Sequence, residues 1–398
     1  MKKILAVIML LAMMFSLCAC GSESAAPSQS AEAEKAAAEE AEAAAAEESA
    51  NEIADAEKLF YEGNYDEAFP LLSAHEDEGN PAAELLARCY YFGMGTDMDT
   101  DRALALLKQS GENGSVTAKY LLADASSTVS GAKLTLDETA ALYKEFVSAA
   151  EGMDASDPAY GTVMTYLARC YAEGKGVEKD SDKALDAAAK AAAAGKLSPF
   201  EMMTLGKVFD DCTPVPEVEA AEEQAAAAVA ENPDAQVAPP AYVCPEAEAL
   251  YTQAADGLQA LADAGNARAQ KLLGDLYFNG RGGFEQDCAK ALELYEQAAD
   301  QDYADAQAQL GYMYQNGAGV ELSYEKAMEW NNRAAQQGNA QGQAQIGYMY
   351  HMGLGVTQNL DEAGRWYTRA AQQGDAWAAD MLIQTEVTNP QSVFEAHA

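Results

Sequence analysis

Hydrophobic positions along this chain fall mostly at helical spacing. Ala306, Leu310 and Tyr314 stand four apart, one stripe of a helix, and Ala327, Trp330 and Ala334 mark a second stripe at three and four. Between them runs a polar, glycine-bearing stretch, "NGAGVELS" (316–323). The pattern predicts a helical hairpin. Small residues at the crossing points, chiefly Ala and Gly, let its two helices approach closely. Neither helix can bury its stripe alone, so such hairpins must stack.

The hairpin recurs. "AQKLLGDLYFNGRGG" (269–283), "AQAQLGYMYQNGAGV" (306–320) and "GQAQIGYMYHMGLGV" (342–356) are near-copies, with Leu273, Leu310 and Ile346 spaced 37 and 36 residues apart. Their second halves, such as "EKAMEWNNRAAQQGNAQ" and "DEAGRWYTRAAQQGDAW", recur as well. The N-terminal part carries the unit in a more worn form, at "AAELLARCYYFGMGT" (82–96) and "TYLARCYAEGKGV" (165–177). "MMTLGKVF" (202–209) starts a unit that is cut short, and residues 56–80 read as a shorter hairpin leading into the array.

The glycines of each turn pose a choice between a phosphate cradle and a helix corner. A phosphate-binding loop needs G-x-x-x-x-G-K-[ST] after a strand. Here the glycines follow a helix, no Lys-Ser/Thr comes after them, and Glu321 would repel phosphate. Four residues before the recurring alanine of each second helix stands Asp99, Asp180, Asp287, Ser323 or Asn359, all preferred N-cap types. The loop is therefore expected to be a Gly-terminated helix end followed by a capped helix start. "DMDTD" (97–101) imitates the opening of a calcium loop, but Arg102 and Lys108 occupy positions that require Gly and Glu.

Composition adds an address and a charge. Lys2 and Lys3 precede an apolar run, Ile4 to Leu17, of 14 residues, short for a membrane span, as expected of an export signal. It ends in "LCAC", which resembles the lipobox of bacterial lipoproteins. That resemblance implies cleavage after Ala19 and a diacylglycerol on the Cys20 thiol, two acyl chains that anchor stably. The alternative is an ordinary signal peptide with incidental cysteines. The formal net charge is −39. Such a chain repels nucleic acid and anionic headgroups.

Residues 20–50, rich in Ala, Glu and Ser, read as a tether, a lone helix or disordered, of which about 20 helical residues would reach roughly 30 Å. Residues 212–244 carry five prolines among Ala and Glu and read as a linker. The expected organisation is a signal peptide (1–19), a lipidated tether (20–50), a degenerate repeat block (51–211), the linker (212–244) and a C-terminal repeat block (245–398). Cys212 and Cys244 bracket the linker; a disulfide there would contribute roughly 3–4 kcal/mol in the loop-entropy model, and free thiols are the alternative. No C-x-x-C pair exists, which removes zinc-ribbon and thioredoxin-like motifs.

The repeats resemble the SEL-one-like repeat (SLR) family, an α-helical solenoid related to the tetratricopeptide repeat. Its pattern A-x-x-x-L-G-x-x-Y-x-x-G-x-G-V, then A-x-x-W-Y-x-x-A-A-x-x-G, is met at Ala306, Leu310, Gly311, Tyr314, Gly317, Gly319, Val320, Ala327, Trp330, Ala334, Ala335 and Gly338. It is met again at Gly347, Tyr350, Gly353, Gly355, Val356, Ala363, Trp366, Tyr367, Ala370, Ala371 and Gly374, with Ile346 conservative. The N-terminal units depart from it: Ala87 and Ala168 replace the helix glycine, Leu106 and Ala187 the tryptophan. The resemblance implies an all-α solenoid that scaffolds protein–protein contacts. Some cysteine-rich secreted members have been described as binding or cleaving β-lactams; their regular cysteine pair per repeat is missing here.

No catalytic order of Ser, His and Asp, no H-E-x-x-H and no G-x-S-x-G occurs, and the histidines are only His75, His351 and His397. Cys89 and Cys170 align with Met313 and Met349 and are expected as small core residues. One first-helix position changes freely between units, at Arg88, Asp124, Arg169, Asp275, Tyr312 and Tyr348, as if packing did not dictate it. By analogy with related solenoids, first helices line the concave face. Gln309, Tyr312, Gln315, Gln345, Tyr348 and His351 are therefore the expected polar-aromatic groove, tyrosine offering contact area with a polar tip; ordinary solvent-facing residues are the alternative. The sequence thus predicts a non-enzymatic scaffold of two α-solenoid blocks, without cofactor or metal, anchored through Cys20 on the extracytoplasmic face of a bacterial membrane. A lipoprotein binding peptide, glycan or cell-wall fragments is the second reading, and an enzyme a distant third.

Overall fold

The computed structural model describes residues 27–128, 134–214 and 243–388. Among them are seventeen α-helices and no strand, an all-α repeat solenoid. α1 (Pro27–Tyr61) pairs with α2 (Tyr65–Ala74). The hairpins that follow are α3 (Ala82–Phe92) with α4 (Thr100–Glu112), α5 (Val116–Thr128) with α6 (Leu136–Ala150), and α7 (Tyr160–Glu173) with α8 (Ser181–Ala194). Next come α9 (Pro199–Cys212) with α10 (Pro245–Asp263), α11 (Ala267–Asn279) with α12 (Cys288–Ala299), and α13 (Ala304–Asn316) with α14 (Tyr324–Gln336). α15 (Ala340–Met352) and α16 (Leu360–Gln372) form the final pair, closed off by α17 (Ala376–Thr388).

The turns are built from caps. Gly317 ends α13 in the left-handed conformation at φ 68°, which an L side chain rarely adopts. Gly319, at φ 71°, has a second reason to lack a side chain: a Cβ there would lie 2.6 Å from Cβ of Cys288, at the start of α12. The paired glycines thus stop one helix and seat the turn on the preceding hairpin. The side chains of Asp99, Asp180, Asp287, Ser323 and Asn359 each accept a first-turn backbone N–H, as expected.

Inside the hairpins, the helix glycine receives an aromatic ring. A Cβ at Gly347 would lie 2.8 Å from Tyr367, and one at Gly274 2.7 Å from Tyr295; Gly206 faces Tyr251 in the same way, whereas Gly311 faces the amide of Asn331. Where Ala87 and Ala168 replace the glycine, the second-helix positions carry Leu107 and Ala188, and all four are buried. The worn units keep the joint by exchanging both partners.

One expectation changes and one choice is decided. The sequence break at 212–244 does not divide the stack: α9 and α10 pair across it as the two helices of one unit. The Tyr251 hydroxyl donates to Asp210 at 2.8 Å, Arg281 bridges Asp210 and Glu248, and one core cluster runs from Ala56 to Leu294. The unit begun at 202–209 is completed after the interruption. Second, of the two alternatives open for Cys212 and Cys244, a bridge or free thiols, the structure has the free thiols. The Cys244 thiol instead contacts Thr213 at 3.6 Å and Glu246 at 3.3 Å.

The Ala/Glu stretch, where described, is helical: α1 continues through residue 50 without a break, and its end docks through Ala56 and Phe60. His75 fixes it further, contacting Ser49 and Glu52. The signal segment, Cys20 and most of the 212–244 segment lie outside the described residues, as does His397. No described helix is long and apolar enough to cross a membrane.

A candidate binding cavity

Successive hairpins curve around a concave cavity of about 1360 Å³. The end of α1, the start of α2, the last turn of α3 and the loop after it supply one wall, with Tyr61, Tyr65, Tyr91 and Met98. The starts of α11 and α13 and the turn before α15 supply another, with Asn266, Arg268, Tyr303 and Asn339. Asp124 and Arg169 reach it from α5 and α7. Asn266 ties the walls together: it caps α11 and donates to the carbonyls of Phe92 and Gly93 at 2.7 and 2.6 Å, residues more than 170 positions away.

Charge is paired in the interior behind the cavity as well as in its lining. Arg88 is fully buried, donates to Glu201 at 2.6 Å, and lies 4.7 Å from the centre of the Phe60 ring. The other carboxylate oxygen of Glu201 accepts from the backbone N–H and hydroxyl of Ser198, so one side chain caps α9 and neutralises α3. Asp124 is met by Arg169 and Lys175, each at 3.3 Å. Burial pushes the Asp124 pKa up, but these two cations outweigh it and bring it down to about 2. Glu84 is pushed up by its burial, against the nearby Arg88 and a hydrogen bond from Ser115.

Arg268 differs from these. Its guanidinium lies 4.7 Å from the Phe92 ring centre and 5.7 Å from those of Tyr91 and Phe200. It is half-buried, lines the cavity, and has no hydrogen bond or ion pair among the described residues.

The six expected groove residues lie elsewhere; none lines this cavity. Tyr312 is exposed beside Phe278, their ring centres 6.2 Å apart, and Tyr348 is half-buried 5.8 Å from the Trp377 ring. Gln309 and Gln345 are half-buried. Gln315 is 6% exposed, so it is an interior residue and not a groove-lining one. His351 is half-buried 6.2 Å from the Tyr367 ring, with Nδ1 sealed. The variable first-helix position also needs correction. At Arg88, Asp124 and Asp275 its side chains are charge-paired or hydrogen-bonded, so their partners, distant for Arg88 and within the same hairpin for Asp275, do dictate them. Cys89 and Cys170 are core residues as expected, and burial pushes both thiols up to about 12.

Sequence reading missed Arg268, although a signal was present. In sister units its position is Asp305 and Gln341. A cation thus replaces an acid in the first turn of a helix, where acids are favoured.

The family model described as Sel1 repeat matches residues 80–115, 163–196, 267–303, 304–339 and 340–375. A stretch of 59 residues, 15% of this chain, is 42% identical to the ERAD-associated E3 ubiquitin-protein ligase component HRD3A of Arabidopsis thaliana and covers 9% of that protein. The HRD3B component of the same plant matches equally, at 42% over 59 residues and 10% of its length. The chain thus spans about a tenth of the length of these curated relatives. A protective antigen of uropathogenic Escherichia coli displaying an SLR fold is 23% identical, over 81% of this chain and 68% of that one, with a TM-score of 0.34. A Sel1 repeat protein from Oxalobacter formigenes is 27% identical over 80% of both chains, with a TM-score of 0.33.

Proposed function

This chain is a Sel1-repeat protein, and from that premise we propose that it is a lipid-anchored, extracytoplasmic scaffold that holds a protein partner in its concave cavity. Sel1 repeats imply protein–protein interaction, so the partner is a protein. The observation that carries the assignment to the cavity is its construction. Tyrosines, amides and charged groups from seven helical hairpins converge on one concave space. Tyrosine and arginine side chains in such a place are the types that carry most of the binding energy of protein interfaces. Tyr312 with Phe278, and Tyr348 with Trp377, are two aromatic pairs outside the cavity.

The anchor rests on "LCAC" and the apolar run before it. A diacylglycerol on Cys20 would hold the scaffold at the membrane and raise the local concentration of the cavity for partners there. Crosslinking and pull-down from intact cells, with Cys20→Ala as the unanchored control, tests both parts. The wild type is expected in the membrane fraction with one specific protein captured, and Cys20→Ala is expected to lose the acyl label. Capture of glycan or free peptide alone would replace the scaffold with a ligand-binding lipoprotein.

A further inference from the structure

We propose that Arg268 is the carboxylate-recognising residue of the cavity, receiving the side chain of an Asp or Glu from an extended segment of the partner. This rests on the reading that the partner occupies the cavity.

Four observations carry it. Arg88, Arg102, Arg169, Arg281, Arg333 and Arg365 each pair with a carboxylate of this acid-rich chain. Arg268 has no such partner among the described residues, and it faces the cavity; Arg369, also unpaired, is exposed and lies on Trp366 away from it. Second, Arg268 stands in the first turn of α11, which has no acidic residue there, whereas the start of α13 carries Asp305. Guanidinium and helix end are both positive, so their own repulsion is relieved when an anion arrives. Third, Phe92, Tyr91 and Phe200 support the guanidinium as a platform. A planar group so held loses little freedom when its donor fork meets a carboxylate. Fourth, Asp124 and Asp305 lie close enough to act on the Arg268 charge. Asp124 is already compensated by Arg169 and Lys175, and Asp305 accepts from Asn339 at 2.6 Å and from Tyr303 at 3.2 Å. Glu62, Asp66, Asp97 and Asp302 also line the cavity, so an anion is admitted only where the Arg268 fork meets it directly, and a doubly charged phosphate is opposed more strongly than a carboxylate.

The test is fluorescence anisotropy on the full chain with three pools of labelled, C-terminally amidated heptapeptides. The pools carry neutral residues throughout except for a fixed central Glu, Gln or phosphoserine. The Glu pool is expected to bind roughly tenfold or more tighter than the Gln pool. In Arg268→Gln that gap closes, while the far-ultraviolet circular dichroism spectrum shows the helical fold retained. Arg268→Lys, which keeps the charge but not the fork, retains part of the gap. Equal binding of the Glu and Gln pools overturns the role of Arg268 and leaves the cavity as a peptide surface. So does a gap that survives in Arg268→Gln, or a preference for phosphoserine. No binding by any pool overturns both the role of Arg268 and the cavity assignment.

Discussion

Arg88 and Glu201 are sealed from water, at 0% and 1% side-chain exposure, and their ion pair spans 113 residues of sequence. Removing one member of a buried pair leaves the other charge stranded, at a cost of about 3–5 kcal/mol. Glu201→Ala is expected to lose that much in urea unfolding. Arg88→Met combined with Glu201→Gln, which retains a capping side chain, is expected to recover most of it. Asp124 gives a pH signature. Its pKa is about 2 in the fold against 3.8 ordinarily, so the folded state favours the charged form. The resulting stability is present in full above about pH 4 and disappears as pH falls toward 2; it amounts to roughly 2 kcal/mol. The gap between wild type and Asp124→Asn should therefore shrink over that interval in chemical denaturation, and a gap constant from pH 6 to 2 would contradict the assignment. These partners were not legible in the repeats. Comparing units showed a position that varies, but the reason for the letter differs at each: Arg88 answers Glu201 three hairpins on, Asp124 answers Arg169 in the next hairpin, and Asp275 answers Tyr295 within its own.

Elements were far more legible, because helix ends and crossings are decided locally. A cap residue three positions before an N–H, or a glycine at a left-handed φ, depends on no distant contact. Hence Asp99, Asp180, Asp287, Ser323 and Asn359 could be placed from sequence. The glycine–aromatic joint was legible as a need for small residues, though not as a matched pair. Gly347→Ala should destabilise by about 1–2 kcal/mol, overpacking outweighing the gain in helix propensity. Tyr367→Leu imitates the Ala87 and Leu107 combination and strips no hydrogen bond, since the Tyr367 hydroxyl has none. The double variant should cost less than the sum of the singles, a coupling a thermodynamic cycle would read directly. Strict additivity would show that the two residues do not share one space.

At the scale of the molecule, composition misled where three-dimensional pairing decides. Prolines and alanines between Cys212 and Cys244 read as a boundary, yet α9 and α10 close on each other as one unit. The stack is therefore uninterrupted, and its curvature brings Asn266 to Phe92 and Arg268 onto Phe92 and Phe200. A cavity made by units so far apart has no local signal, which is why the expected groove fell on Tyr312 and Tyr348 instead. The partner surface is tested most directly by photo-crosslinking in intact cells from two exposed apolar positions. One is Met98, 38% exposed and in the cavity wall; the other is Leu322, 49% exposed and outside it. With benzoylphenylalanine at each, a discrete crosslinked protein is expected from Met98 and absent from Leu322. Equal crosslinking from both, or crosslinking from Leu322 alone, would contradict the cavity as the place where the partner binds.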